Sequence, residues 1–279
     1  MNKIFIPPIK IQGIKTKLVP LIQKNVSLKE TTAWIEPFMG SGVVGFNIKS
    51  QRAIFSDINP HIINFYNAIK FKKISSITVK DFLTEEGRIL SERGENYYYE
   101  VRERFNTFHN SLDFLFLNRA CFNGMIRFNK KGQFNVPYCH KPQRFSKSYI
   151  TKIINQMKYI ESCLDYCDWK FICQDFQKTI RQTQEYDDVL IYCDPPYIGR
   201  HVGYYDSWNE DSEKMLCEVL REIQQPFILS TWDHNKFRTN HYIEKIWGFC
   251  HKFTQEHFYY VGAKEINRNS ITEAILMNF

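Results

Sequence analysis

The stretch Val189-Leu190-Ile191-Tyr192-Cys193-Asp194-Pro195-Pro196-Tyr197 decides how this chain is read. Five apolar residues bounded by a turn signal read as a strand buried on both faces, the mark of a central strand in a mainly parallel sheet. The strand runs into a loop that offers a carboxylate, two rigid backbone carbonyls and an aromatic face. That set suits an amino group carried on a flat ring. An exocyclic amine conjugated to a purine is a poor nucleophile, because its lone pair is delocalised into the ring. Acceptors aimed at its two N–H groups favour a tetrahedral nitrogen and stabilise the positive charge that grows on it during attack. Asp194 and the carbonyl of Pro195 are the candidate acceptors. Proline fixes φ, so Pro195 and Pro196 keep those carbonyls pointed, and Tyr197 supplies a ring on which a base can stack. A Pro-Pro turn ending a strand, with Asp194 capping a helix, is the purely structural alternative.

Outward from this strand the same texture recurs. Residues 32–36 read as a strand, 42–50 as a helix and 52–57 as a second strand. A helix follows over 60–70, with Ile62, Ile63, Tyr66 and Ile69 on one face. Further strands are read at 169–173 and 226–231. Strand and helix in alternation predict an α/β fold, a doubly wound and mostly parallel sheet covered on both faces. Residues 77–148 interrupt the pattern, with helices over 96–108 and 113–121 and then a polar loop region. The expected organisation is therefore a cofactor-binding part over 1–76, an inserted and mainly helical domain over 77–150, and the rest of the catalytic domain over 151–279.

The turn after the first strand reads Glu36-Pro37-Phe38-Met39-Gly40-Ser41-Gly42. Two glycines behind a strand let the backbone turn tightly and approach a ligand at the carboxyl edge of the sheet, where open α/β folds bind cofactors. The third glycine falls at Gly45, which breaks the dinucleotide fingerprint and favours a smaller nucleoside. Asp57, ending the next strand, is placed as a ribose-hydroxyl acceptor; a cap for the helix at Pro60 is its alternative.

Composition bounds the partners. The 279 residues are 43% hydrophobic, enough for a packed core, and carry a net charge of +7. No acidic residue lies between Asp113 and Glu161, whereas nine cations do, from Arg119, Arg127, Lys130 and Lys131 through Lys141 and Arg144 to Lys147, Lys152 and Lys158. Interleaved with them are Phe122, Phe128, Phe134, Tyr138, Phe145 and Tyr149, and the amides Asn118, Asn123, Asn129 and Asn135. Cations for phosphates, amides for base edges and aromatic wedges make up a nucleic-acid surface. A solvated basic face with its aromatics turned inward is the alternative. The eight cysteines are scattered without zinc-ligand spacing and read as reduced thiols, so no metal is expected. No stretch is long and apolar enough to span a membrane, and the first eight residues are too short and interrupted for a signal peptide, so a cytoplasmic location is expected.

On these residues the chain resembles the Dam-like adenine-N6 DNA methyltransferases. The likeness runs through Pro7 to Lys17, Trp34 to Gly42, Tyr98 to Asn106, Asn118-Arg119, Phe122 to Asn129, Phe134 to Pro137, and Asp194 to Arg200. It implies S-adenosylmethionine as methyl donor, a class I methyltransferase sheet and an inserted target-recognition domain that binds double-stranded DNA and flips a base. By position it implies a donor pocket lined by Ile11, Lys15, Glu36, Pro37, Phe38, Gly40, Gly42, Asp57, Asp175, Phe176 and Asp194. Dam itself carries an aromatic residue where this chain has Ile11. For DNA contact it implies Asn123, Met125 and Arg127 in a recognition hairpin, Phe122 as a wedge, Lys10 reading the outer site, and Arg119, Asn135, Lys141 and Arg144 on the same surface. The implied target is a short palindrome containing GAT, GATATC favoured and GATC the alternative, in a restriction-modification setting with a cognate endonuclease. One flipped base per event permits a monomer. The runner-up is the same loop acting on RNA, cytosine or a protein amide, where relatives carry Asn or Ser in place of Asp194; a non-catalytic DNA-binding module is the third reading.

Overall fold

The computed structural model describes residues 3–198, 208–258 and 270–279, so Gly199 and Arg200 of the stretch quoted above lie outside the described residues. Its strands are β1 (Ala33–Glu36), β2 (Arg52–Asp57), β3 (Asp168–Cys173), β4 (Val189–Cys193), β5 (Phe227–Asn235), β6 (His251–Phe258) and β7 (Ser270–Met277). Over the described residues they form one seven-stranded sheet in the order β3-β2-β1-β4-β5-β7-β6. Strands β1 to β5 are parallel, and β7 runs antiparallel to both β5 and β6. Every residue of β1 and β4 is buried, as unbroken apolar runs in a covered sheet require. The expected doubly wound sheet is therefore present. The closing antiparallel pair was not in the sequence reading, because β6 carries exposed polar side chains over residues 251–256 and no apolar alternation.

Helices cover both faces. On one face lie α1 (Val19–Asn25), α2 (Val43–Ile48) and α3 (Pro60–Lys70), followed by α4 (Ser76–Arg93), α5 (Glu95–Phe108), α6 (Ser111–Ala120) and α7 (Lys147–Tyr166). On the other lie α8 (Phe176–Arg181), α9 (Glu210–Ile223) and α10 (His241–Trp247). The start of α6 precedes the expected residue 113 because Asn110 caps it, its side chain accepting the N–H of Leu112 at 2.8 Å. In α4 a Ser75–Thr78 capping box fixes the first turn.

One apolar cluster runs without a break from Trp34, Phe46 and Phe55 under the sheet into Leu83, Phe105, Phe116 and Phe134 of the insertion. Burying each such aromatic side chain contributes about 1.5–3 kcal/mol, so the insertion is held by the same core as the sheet. Arg104 of α5 bridges Glu86 of α4 at 2.7 Å and Asp113 of α6 at 2.5 Å. Gly87 of α4 lets the end of the loop region pack closely, since a Cβ there would meet Phe145 Cβ at 2.6 Å. Residue 150 falls inside α7, which leaves the insertion and re-enters the sheet layer as one helix.

The chain winds outward from β1 through β2 to β3, and in the opposite sense from β4 to β5. Between β1 and β4, paired with Ile35 beside Ile191, the order reverses. Their carboxyl-end loops part there and leave a crevice. Those loops are the glycine turn and the Asp194 loop.

Candidate active site

Both loops open into one cavity of about 650 Å³. Its walls include Ile11, Lys15, Glu36, Pro37, Phe38, Gly40, Asp57, Asp175, Phe176, Asp194, Pro195, Pro196 and Tyr197. Gly42 stands behind the wall instead. It adopts φ +75° at the start of α2, where a Cβ would meet Phe46 Cε2 at 2.6 Å. Gly45 lets α2 pack closely: a Cβ would come within 2.3 Å of Phe55 Cε1 and 2.5 Å of Glu36 Oε2.

The carboxylates at the turn brace it. Glu36 is 2% exposed, and its Oε2 accepts the Trp34 indole N–H at 2.9 Å and the Gly45 amide at 3.0 Å. Burial pushes its carboxyl up to about 8, with the two donors opposing. Asp57 accepts the Gly40 N–H at 2.8 Å and the Asn59 N–H at 2.9 Å, one on each oxygen. It therefore fixes the turn while each oxygen keeps a lone pair for a ligand. Its carboxyl is raised by burial. Ile11 packs against the turn from the N-terminal segment, its Cδ1 3.2 Å from where a Gly40 Cβ would sit.

Three rings build one wall. Phe38 stacks on Phe176 at 5.3 Å between centroids, and Trp208 stands 5.5 Å from each. Asp175 caps α8 through the Gln177 N–H at 2.8 Å and so aims Phe176. Trp208 was missed in the sequence, where a lone tryptophan in a polar stretch carries no motif. Buried Glu213 holds it, taking the indole N–H of Trp208 at 2.6 Å and that of Trp247 at 2.8 Å.

Opposite lies the Asp194 loop. Asp194 Oδ1 accepts the Ser230 hydroxyl at 2.7 Å and forms an ion pair with Lys15 Nζ at 3.0 Å. Lys15, 5% exposed, also donates to the Gly13 carbonyl at 2.8 Å and lies 4.9 Å from the centre of the Tyr197 ring. Tyr197 donates to buried Glu273 of β7 at 3.4 Å. Burial raises the Asp194 carboxyl, against Lys15 and Ser230, which lower it, and with Glu273, which raises it. Among the described residues the hydrogen-bond partners of Asp194 are thus the side chains of Lys15 and Ser230, and Asp194 caps no described helix. Ser230 and Glu273 went unread in the sequence, because their relation to Asp194 exists only across neighbouring strands.

The basic window folds into an irregular hairpin over residues 121–138, closed by the bridges Cys121–Tyr138 and Phe128–Phe134. Its Ile126 lines the same cavity as Asp194, so hairpin and active site adjoin. Phe122, at 51% exposure, stands out beside the bridge at the base of the hairpin; Asn123 and Arg127 are exposed and Met125 is half-buried. Arg127 Nε donates to Asn135 Oδ1 at 2.8 Å, pairing those two. Lys10 is brought to the hairpin by Asn118, whose amide bonds its backbone N–H at 2.8 Å and carbonyl at 2.9 Å. Lys141 is exposed and Arg144 half-buried, both lining a shallow hollow with Tyr149.

Part of the surface reading is corrected. Phe128, Phe134, Tyr138 and Phe145 are buried and belong to the core, so four of the six interleaved aromatics turn inward as the alternative reading held, whereas Phe122 is exposed and Tyr149 half-buried. Asn118 is buried as well. Arg119 is 2% exposed, its guanidinium directed inward to Gln156 at 2.6 Å and the Tyr149 hydroxyl at 3.4 Å. Arg144 donates to the same hydroxyl at 3.0 Å. Burial alone would raise the Tyr149 phenol, yet Arg119, Lys10 and Arg144 together bring it below its ordinary value.

A glycine turn after β1 facing an acidic Pro-Pro-Tyr loop after β4, on a sheet closed by an antiparallel β7, defines a class I S-adenosylmethionine-dependent methyltransferase fold. The chain belongs to the family of D12 class N6 adenine-specific DNA methyltransferases, whose profile matches residues 12–262. It is 35% identical over 195 residues to the DNA adenine methylase of Vibrio cholerae, spanning 68% of this chain and 64% of that protein's length. It is 35% identical over 233 residues to the DNA adenine methylase of Haemophilus influenzae, spanning 78% and 75%. To the Retron Ec67 DNA adenine methylase of Escherichia coli it is 32% identical over 255 residues, spanning 85% and 82%. A solved S-adenosylmethionine-dependent methyltransferase from Agrobacterium tumefaciens shares 13% identity over 66% of this chain and 61% of that one, with a TM-score of 0.28. The resemblance read from the motifs is borne out at the level of the family.

Proposed function

We propose that the protein transfers a methyl group from S-adenosylmethionine to the N6 amine of an adenine flipped out of duplex DNA. The observation that carries this reading is the state of Asp194. Its Oδ1 is held by Lys15 and Ser230, whereas Oδ2 has no hydrogen-bond partner among the described residues, at the wall of a cavity that also holds Pro195 and Tyr197. A carboxylate so fixed is prepared to take an N–H of the target amine without rearranging during the reaction.

The cavity fits the donor in size and chemistry. Its volume of about 650 Å³ is that of a nucleoside-sized pocket. Phe38, Phe176 and Trp208 would hold the adenine, the Gly40 turn and Asp57 the ribose, and Lys15 and Asp194 the reacting end. When bound, S-adenosylmethionine supplies an electrophilic methyl group on a sulfonium centre. The apolar wall favours a step in which that positive charge, concentrated on sulfur before attack, is spread between the sulfur and the attacking nitrogen.

On the target side, Tyr197 takes the extrahelical base on its ring, and Asp194 and the Pro195 carbonyl accept the two amine protons. No strong base acts beforehand, since the amine becomes acidic only once it carries the methyl group. Lys10, Asn123, Met125, Arg127, Asn135, Lys141 and Arg144 form the DNA face, with Phe122 as the wedge. Arg119 supports that face from beneath by fixing Tyr149. The target is a short palindrome containing GAT; GATATC is favoured by the likeness to the modification methylase of the EcoRV system, and GATC is the alternative. That likeness also supports a restriction-modification setting with a cognate endonuclease; one flipped base per event permits a monomer, and the cytoplasm is the default location. No described helix is long and apolar enough to cross a membrane.

Asp194→Ala tests the reading. It should lower methyl transfer to duplex DNA by at least about a thousandfold, while DNA affinity changes little. Near-normal turnover in that variant would overturn the assignment. Sequencing of plasmid DNA from cells expressing the wild-type protein would then name the modified site.

A further inference from the structure

We infer that Ser230 is a positioning residue for this reaction: with Tyr192 behind it, its hydroxyl holds Asp194 in the orientation that presents the second carboxylate oxygen to the target amine. The inference rests on the methyl-transfer reading and extends its site by a layer of buried hydroxyls.

Ser230 lies on β5, next to β4, and is 0% exposed. It is not among the residues lining the cavity, so it acts through Asp194 or not at all. Its oxygen is 2.7 Å from Asp194 Oδ1 and 3.5 Å from the Cys193 carbonyl. A serine has one proton to give, and the nearer, charged acceptor takes it. The lone pairs of the same oxygen then receive the Tyr192 hydroxyl at 3.1 Å. Tyr192 is buried, and its ring stacks on Trp34 at 5.6 Å. The Trp34 indole in turn donates to Glu36 beneath the glycine turn. Tyr192 and Ser230 donate head to tail toward Asp194, and hydrogen bonds so ordered polarise one another. The Trp34–Glu36 pair is joined to them by ring stacking, so buried packing runs from the donor-side turn to the catalytic loop.

The division of labour on Asp194 follows. Lys15, from the N-terminal segment, supplies charge to Oδ1, and Ser230 supplies direction to the same atom. Together they occupy one oxygen and leave the other for substrate. Among the described residues, the other charged or titratable groups facing Asp194 include Glu36 on β1, Glu273 on β7, and Tyr192 and Cys193 on its own strand. Glu273 favours protonation of Asp194, and Ser230 opposes it. Removing the serine hydroxyl therefore shifts Asp194 further toward its neutral form, in which it is a poorer acceptor.

The test is steady-state methyl transfer to duplex DNA by the wild-type protein, Ser230→Ala, Ser230→Thr and the double variant Ser230→Ala with Tyr192→Phe. The expected result for Ser230→Ala is a kcat lower by about ten- to a hundredfold, with KM for donor and DNA within about twofold. The acid limb of its kcat profile should move to higher pH, and Ser230→Thr should restore most of the rate. Ser230→Ala also orphans the buried Tyr192 hydroxyl, so it should lower the melting temperature. Adding Tyr192→Phe should recover that stability but not kcat. Ser230→Ala with kcat within about twofold of wild type and an unmoved acid limb would overturn the inference, as would a double variant that regains kcat together with stability. A wild-type protein that methylates no adenine would overturn the proposed function instead, and this inference with it.

Discussion

Glu36 lies at the base of the glycine turn with both N–H donors, from Trp34 and Gly45, on one oxygen. Burial raises its folded carboxyl to about 8, from an ordinary value near 4.5. The unfolded chain therefore gives up this proton first as pH rises. The stability contributed by neutral Glu36 is complete below pH 4.5 and is lost progressively up to about pH 8. Melting curves of the donor-free protein and of Glu36→Gln between those limits should diverge, the wild type losing stability relative to the variant. Curves that stay parallel would contradict this account of the turn. The glutamate was legible in the sequence as a site residue, because it ends a strand before two glycines. Its bonds to Trp34 and Gly45 were not legible, since they depend on how α2 packs across β1. Arg119 teaches the same lesson in the basic window. A run of cations shows which residues carry charge but not which way each one points.

Among the elements, the hairpin over residues 121–138 and the N-terminal segment act as one unit. Asn118 ties down the backbone of Lys10, and Gly124, at φ +66°, lies against the lysine side chain. A Cβ on Gly124 would meet Lys10 Cδ at 2.5 Å and would strain a left-handed backbone. Gly124→Ala should therefore displace Lys10 from the hairpin and weaken DNA binding by about tenfold, the loss of one good base or phosphate contact. Donor affinity should be unchanged, because Gly124 does not line the cavity. Fluorescence anisotropy with duplex DNA and calorimetry with the donor check the two halves; equal DNA affinity in the variant would separate Lys10 from recognition. Elements with a strong period were read closely: β2, β4 and α3 run as the sequence predicts. Less legible were β6, whose polar surface hides the strand, and the hairpin aromatics, whose burial depends on helices distant in sequence.

Across the whole molecule, one core joins sheet and insertion, and one cavity is bounded by the N-terminal segment, the glycine turn, the Asp194 loop and the hairpin. The order of motifs along the chain told which loops meet at the cavity, because in an α/β sheet loops at the carboxyl edge meet at the strand-order reversal. It did not tell which residues on β5, β7 and α9 support those loops, and there Ser230, Glu273, Trp208 and Glu213 entered only with the structure. The chemistry proposed for the cavity is methylation of an exocyclic purine amine in duplex DNA. The most direct test is to incubate the wild-type protein with methyl-labelled S-adenosylmethionine and duplex DNA, digest the DNA to nucleosides and identify the labelled base. Label in N6-methyladenine alone is the predicted result. Label in a methylated cytosine, or none in the DNA while RNA or protein is labelled, would contradict it.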